Sequence, residues 1–165
     1  HYAISKLAIE RVASRFNDLP ILAVRPFNYT GPGQSDAFLL GKVAALLRQG
    51  ADSIELGNLE LARDFTSLDE VVRVYVGCLE QCRAHHGVMN ICSGQAQSLR
   101  GLVEALIEAS GRPVEIQISD KFKRGSEIES LCGDVSRMRQ WIGFVPKPLG
   151  RDDLRRMLFN DEQEL

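Results

Sequence analysis

Apolar residues recur along this chain at helical and strand periods in turn. Ile9, Val12, Ala13 and Phe16 repeat at three- and four-residue steps, which predicts a helix over residues 2–16. Tyr2 and Lys6, four apart, extend that stripe, so both are expected to point towards a sheet. Ile21-Leu22-Ala23-Val24 is an unbroken apolar run, as expected of a parallel strand covered by helices on both faces. Gly31-Pro32-Gly33 predicts a reversal, and Phe38 to Arg48 a helix stopped at Gly50. Ser53 to Leu56 reads as a strand, Leu61 to Thr66 as a short element, and Thr66 or Ser67 as the cap of a helix running to Cys82.

The second half continues the alternation. Gly87 to Cys92 is an apolar strand, and Ser98 caps a helix from Leu99 to Ser110 that stops at Gly111 before Pro113. Val114 to Ile118 alternates as a half-buried edge strand does, and Asp120 to Ser126 reads as a polar surface loop. A helix from Ser136 to Trp141 ends at Gly143, a final helix starts at Gly150 or Arg151, and residues 160–165 read as a frayed acidic tail. Strands alternating with helices throughout indicate an α/β fold.

Ligands of open α/β sheets sit outside the carboxyl ends of the strands, so the run after Val24, with Asn28, Tyr29 and Thr30 before the turn, is the first place to look for chemistry. A phenol is a poor proton donor at neutral pH, but an ammonium on the next helical turn favours the phenolate, which makes Tyr2 and Lys6 a candidate acid/base pair. Arg63, just before a helix start, can present its guanidinium fork to a bound phosphate or pair on the surface with Asp64 or Asp69.

Composition narrows the partners. The 165 residues carry a formal charge of −2 with no basic run, which argues against nucleic acid, and no apolar stretch approaches the length of a membrane span. Cys78, Cys82, Cys92 and Cys132 lack paired spacing, so no metal site or disulfide framework is indicated, and they read as core thiols of a cytoplasmic protein. Helical periodicity begins at the second residue, as in the later part of a longer chain.

Six blocks occur in one order: Tyr2-x-x-x-Lys6, the run Arg25 to Gln34, Arg63-Asp-Phe-Thr66, Asn90-Ile-Cys-Ser-Gly94, Arg124-x-x-Glu127 and Gly133-Asp134. Together they resemble the extended short-chain dehydrogenase/reductase family that acts on nucleotide sugars. Their wording is most similar to the reductases of GDP-4-keto-6-deoxymannose, with GDP-mannose 4,6-dehydratase a close relative. The resemblance implies the last elements of a Rossmann-type parallel sheet plus the small C-terminal substrate-binding domain. Residues 1–34 would hold the Tyr-Lys helix and a Rossmann strand, and 35–165 mainly the substrate domain, with 63–92 returning to the sheet.

By the same resemblance, Tyr2 matches the family's catalytic tyrosine, which protonates the sugar C4 oxygen as NADPH or NADH delivers hydride, and Lys6 matches the lysine on the nicotinamide ribose. Pro26 and Phe27 match residues beside the nicotinamide. Asn28 matches a substrate contact, Arg63 the arginine on the substrate diphosphate, and Arg124 and Glu127 the residues holding the phosphate and the nucleoside. The implied reaction is reduction of a GDP-4-keto-6-deoxy-hexose. A 4,6-dehydratase or epimerase of the same family, and a non-catalytic binder of nucleotide sugars, are the alternatives. A homodimer through helices that include residues 2–16 is also implied.

The chain departs from the family pattern in places. His1 stands where the family usually has proline, and Gly125 where proline follows the arginine. The family's glycine-rich cofactor loop, ribose selector and catalytic Ser or Thr all precede the tyrosine. That loop is expected roughly 130 to 150 residues upstream of it, so this chain alone is expected to be inactive.

Overall fold

A computed structural model describes residues 1–16, 18–81, 87–119 and 128–159. Its elements follow the order α1 (Tyr2–Ala13), β1 (Leu22–Pro26), β2 (Asn28–Thr30), α2 (Leu39–Arg48), β3 (Ser53–Leu56), β4 (Ala62–Ser67), α3 (Leu68–Gln81), β5 (Gly87–Ile91), β6 (Ala96–Ser98), α4 (Leu99–Ser110), β7 (Glu115–Ile118), β8 (Ser130–Leu131), α5 (Ser136–Ile142) and α6 (Arg151–Phe159). The α/β alternation read from the sequence is present. Arg124, Glu127, Cys82, the loop at 120–126 and the tail at 160–165 lie outside the described residues.

β1 pairs in parallel with β5, from Leu22 opposite Gly87 to Pro26 opposite Ile91. Successive side chains of a strand face opposite ways. Leu22 and Val24 therefore join Met89 and Ile91 on one face, packed with Val71 and Val74 of α3 and Met138 and Ile142 of α5. Ala23 and Val88 face the other way, towards α1. At Phe27, whose N–H donates to the Ile91 carbonyl at 2.9 Å, the chain leaves β5 and continues as β2 beside β4. Such a change of strand partner opens a crevice where a ligand can lie.

β4 is the hub of the second sheet. It pairs in parallel with β2 and β8 and antiparallel with β6. β2, β6 and β8 are two or three residues long, too short for a periodicity to declare them in the sequence. Asn28 to Thr30 is thus a strand of this sheet.

The larger core is built by Leu40, Val43, Ala44 and Leu47 of α2 and Leu102, Val103 and Leu106 of α4, closed by Leu154 and Met157 of α6. Spacings of three and four residues place each set on one helical stripe. Ser67 caps α3 by accepting from the Glu70 N–H, and Ser98 caps α4 by accepting from the Gly101 N–H. Gly111 and Gly143 end α4 and α5 at φ 70° and 75°, a left-handed conformation that a β-carbon disfavours.

α1 departs from expectation. Its stripe does not pack on the sheet: Ile9, Val12 and Phe16 are all more than half exposed, and no residue of the helix is buried. Glu10 and Ala13 face β1 instead, and Arg25 on β1 holds the Glu10 carboxylate through two guanidinium N–H groups. Beside the two-stranded β1/β5 ribbon, Ile4, Ile9 and Val12 of α1 stay more than half exposed.

Candidate active site

Tyr2 stands at the N-terminus of α1, 76% exposed, with the Lys6 ammonium 5.3 Å from its ring centroid. A cation at that distance over an aromatic face is attracted to it. The Tyr2 side chain lines a cavity of about 870 Å³, within the range of small-molecule sites. Pro26 and Phe27 from the end of β1, Asn28 and Tyr29 from β2, and Arg63 from β4 line the same cavity. The structure therefore brings together Tyr2, Pro26, Phe27, Asn28 and Arg63. Lys6 reaches the cavity only through Tyr2.

Each wall residue is held by backbone geometry. The Asn28 amide donates to the Asp64 carbonyl at 3.3 Å, across the β2–β4 register. Arg63 uses one guanidinium nitrogen to donate to the Ala62 carbonyl at 2.7 Å and the Glu129 carbonyl at 3.4 Å. Arg63 thus makes neither of the ion pairs foreseen for it. Asp69 takes Arg156 instead, and Asp64 is turned inward because neighbours on a strand face opposite ways.

Asp64 is fully buried and is the residue that sequence reasoning missed. Its Oδ1 accepts from the Ser93 N–H at 2.8 Å and the Ser93 hydroxyl at 2.7 Å. Its Oδ2 accepts from the Gly94 N–H at 2.9 Å and the Gly133 N–H at 3.2 Å, with the Cys132 thiol at 3.7 Å. A buried charge needs such compensation. One carboxylate thereby clasps three segments: β4, the turn after β5, and the strand-to-helix connection at 132–134. Reading Ala62 to Ser67 as a strand would have signalled the inward aspartate.

The cysteines divide by position. Cys92 is buried, and its thiol is pushed up to about 12, first by burial and then by the charge of Asp64. Cys132 is exposed rather than a core thiol, because the 132–134 connection runs over the surface; desolvation and then Asp64 still raise it. Asp134 is held below the ordinary carboxylate range by the Ser136 hydroxyl and N–H, at 2.6 and 2.8 Å.

The family described as GDP-mannose 4,6 dehydratase matches residues 1–157. The chain belongs to this family. GDP-6-deoxy-D-mannose reductase of Pseudomonas aeruginosa is 32% identical over 99% of the chain and 56% of that protein. GDP-6-deoxy-D-talose 4-dehydrogenase of Aggregatibacter actinomycetemcomitans is 31% identical over 87% of the chain and 49% of that protein. The solved structure of RMD from Pseudomonas aeruginosa complexed with NADPH superposes with a TM-score of 0.83 at 32% identity, covering 99% of this chain and 56% of that one. The chain spans about half the length of the curated relatives it matches. Its fold is that of the extended short-chain dehydrogenases, and the resemblance read from the sequence holds.

Proposed function

We propose that this chain is the substrate-binding and Tyr-Lys portion of a nucleotide-sugar reductase that reduces a GDP-4-keto-6-deoxy-hexose with NADPH or NADH. The observation that carries the reading is that Tyr2, Asn28 and Arg63 line one cavity. Further support comes from two relatives whose names describe a reductase and a 4-dehydrogenase of GDP-6-deoxy sugars.

The residues present suit the nicotinamide end of a dinucleotide. Pro26 and Phe27 offer an apolar wall beside the Tyr2 phenol, and the Lys6 ammonium lies one helical turn away. The sequence contains no G-x-G-x-x-G turn to cradle the pyrophosphate. When bound, the nicotinamide would supply hydride to the sugar C4 carbon. Tyr2 would hold the proton destined for the C4 oxygen. Arg63, with one guanidinium nitrogen engaged among the described residues, keeps further N–H donors for a diphosphate. Asn28, braced by Asp64, would orient the sugar, and Arg124 and Glu127 would hold the phosphate and nucleoside. The apolar positions of α1, Ile4, Ile9 and Val12, would be covered in a homodimer.

Calorimetry on this chain with a GDP-sugar tests the reading. Weak binding without turnover is expected, and Arg63→Ala should weaken it by about tenfold, the effect of losing a charge-assisted hydrogen bond. A preference for a dTDP-sugar would refute the choice of nucleotide. Efficient reduction of a keto-sugar by this chain alone would refute the incomplete cofactor site.

A further inference from the structure

Three of the residues that line the cavity are braced by one residue that does not line it. Asp64 is fully buried and stands outside the cavity wall, so a ligand in the cavity does not touch it. The Asn28 amide donates to the Asp64 carbonyl at 3.3 Å. Arg63 immediately precedes Asp64 on β4, and neighbours on a strand leave from opposite faces, so the direction of one side chain fixes that of the other. Phe27 is supported through Gly133, whose N–H donates to Asp64 Oδ2 at 3.2 Å and whose β-carbon, if it had one, would stand 3.1 Å from the Phe27 ring.

The carboxylate ties this frame to the rest of the fold. Oδ1 accepts from the N–H and hydroxyl of Ser93, and Oδ2 from the N–H groups of Gly94 and Gly133, so two segments remote in sequence hold the inward side chain of β4 at both oxygens. Hydrogen bonds to an ionised acceptor are the stronger kind. A strand pinned in this way from its inner face resists rolling about its own axis, and Arg63 on the outer face keeps its place with it. The guanidinium's own bond to the Ala62 carbonyl does not do this: Ala62 is on the same strand, so that bond orients the fork relative to β4 and not β4 relative to the cavity.

We propose that Asp64 is a positioning residue for the binding of a diphosphate: it anchors β4 from the buried side and so fixes where the Arg63 guanidinium meets the ligand. A small displacement is enough to matter, because a guanidinium fork on phosphate oxygens is geometrically exacting. The inference rests on the nucleotide-sugar reading above and adds a buried residue, out of the ligand's reach, on which the strength of binding depends.

Calorimetry with GDP on the full chain, at a temperature where circular dichroism shows each variant folded, tests the role. Asp64→Asn should weaken GDP binding by about fivefold, somewhat less than loss of the guanidinium itself. Ser93→Ala removes one donor and keeps the others, so it should act in the same direction by about twofold, and it carries the test where Asp64→Asn does not fold. The deciding measurement is made in an Arg63→Ala background, where neither substitution should weaken GDP further because the group being positioned is gone. Val103→Ala truncates the separate core of α2, α4 and α6 and should leave GDP binding unchanged although it too destabilises the fold. Unaltered GDP binding in the folded variants, a loss that persists in the Arg63→Ala background, or an equal loss in Val103→Ala would each overturn the positioning role and leave the nucleotide-sugar reading standing. Failure of the unaltered chain to bind GDP would overturn both.

Discussion

The hydroxyl of Ser93 donates to Oδ1 of Asp64 at 2.7 Å, tying the turn after β5 to the strand that carries Arg63. The same carboxylate accepts from Gly133, so a single side chain sets the distance between two parts of the cavity's support.

Removing that carboxylate leaves the buried N–H of Ser93 and the part-buried N–H groups of Gly94 and Gly133 without this acceptor. Asp64→Ala should cost about 3–4 kcal/mol, the sum of a few unsatisfied donors after partial relaxation. Asp64→Asn keeps one acceptor oxygen and should cost about 2 kcal/mol. Urea unfolding gives both values. A loss below about 1 kcal/mol for the alanine variant would mean that water replaces the clasp.

Gly133 sits where no side chain fits. A β-carbon there would overlap the Cys92 sulfur and stand 3.1 Å from the Phe27 ring. Gly133→Ala should destabilise by about 1–3 kcal/mol through overpacking. Cys92→Ala should recover part of the loss by removing the sulfur. A double-mutant cycle in thermal unfolding measures the coupling, and strict additivity would show that the backbone yields instead.

Attachment of α1 depends on pH. The Arg25 guanidinium holds Glu10 below the ordinary carboxylate range. A depressed folded pKa means that the stabilisation is present above the unfolded value and is lost as pH falls through the folded one. Backbone amide resonances of residues 2–13 should therefore shift as pH falls below about 4.3, the ordinary glutamate value. Glu10→Gln should show the shifted positions at neutral pH. Resonances that stay in place in the variant would assign the docking of α1 to other contacts.

At the alkaline end the sign reverses. The Cys92 thiol, pushed up to about 12, stays protonated in the fold where an unfolded chain has released its proton. A raised folded pKa contributes stability below the unfolded value, about 8.5 for a thiol, and that contribution is lost as pH rises through the folded one. Urea midpoints should fall from about pH 9 upwards, and Cys92→Ala should flatten that limb. Parallel limbs in the two proteins would count against it.

Much was legible in the sequence because it is local. Spacings of three and four residues mark the stripes of α2 and α4, Ser67 and Ser98 mark helix starts, and Gly111 and Gly143 mark ends, since caps and periodicity are set within one or two turns of backbone. The order of the blocks from Tyr2 to Asp134 was enough to name the family. Tertiary structure alone decided which way α1 faces, because burial depends on what stands opposite a helix: Glu10 and Ala13 lie on the side towards β1 while Ile9 and Val12 stay exposed. It also decided that Asp64 turns inward and Arg63 towards the cavity. Adjacent strand residues must part, and only the pairing of β4 with β2, β6 and β8 says which side is the interior.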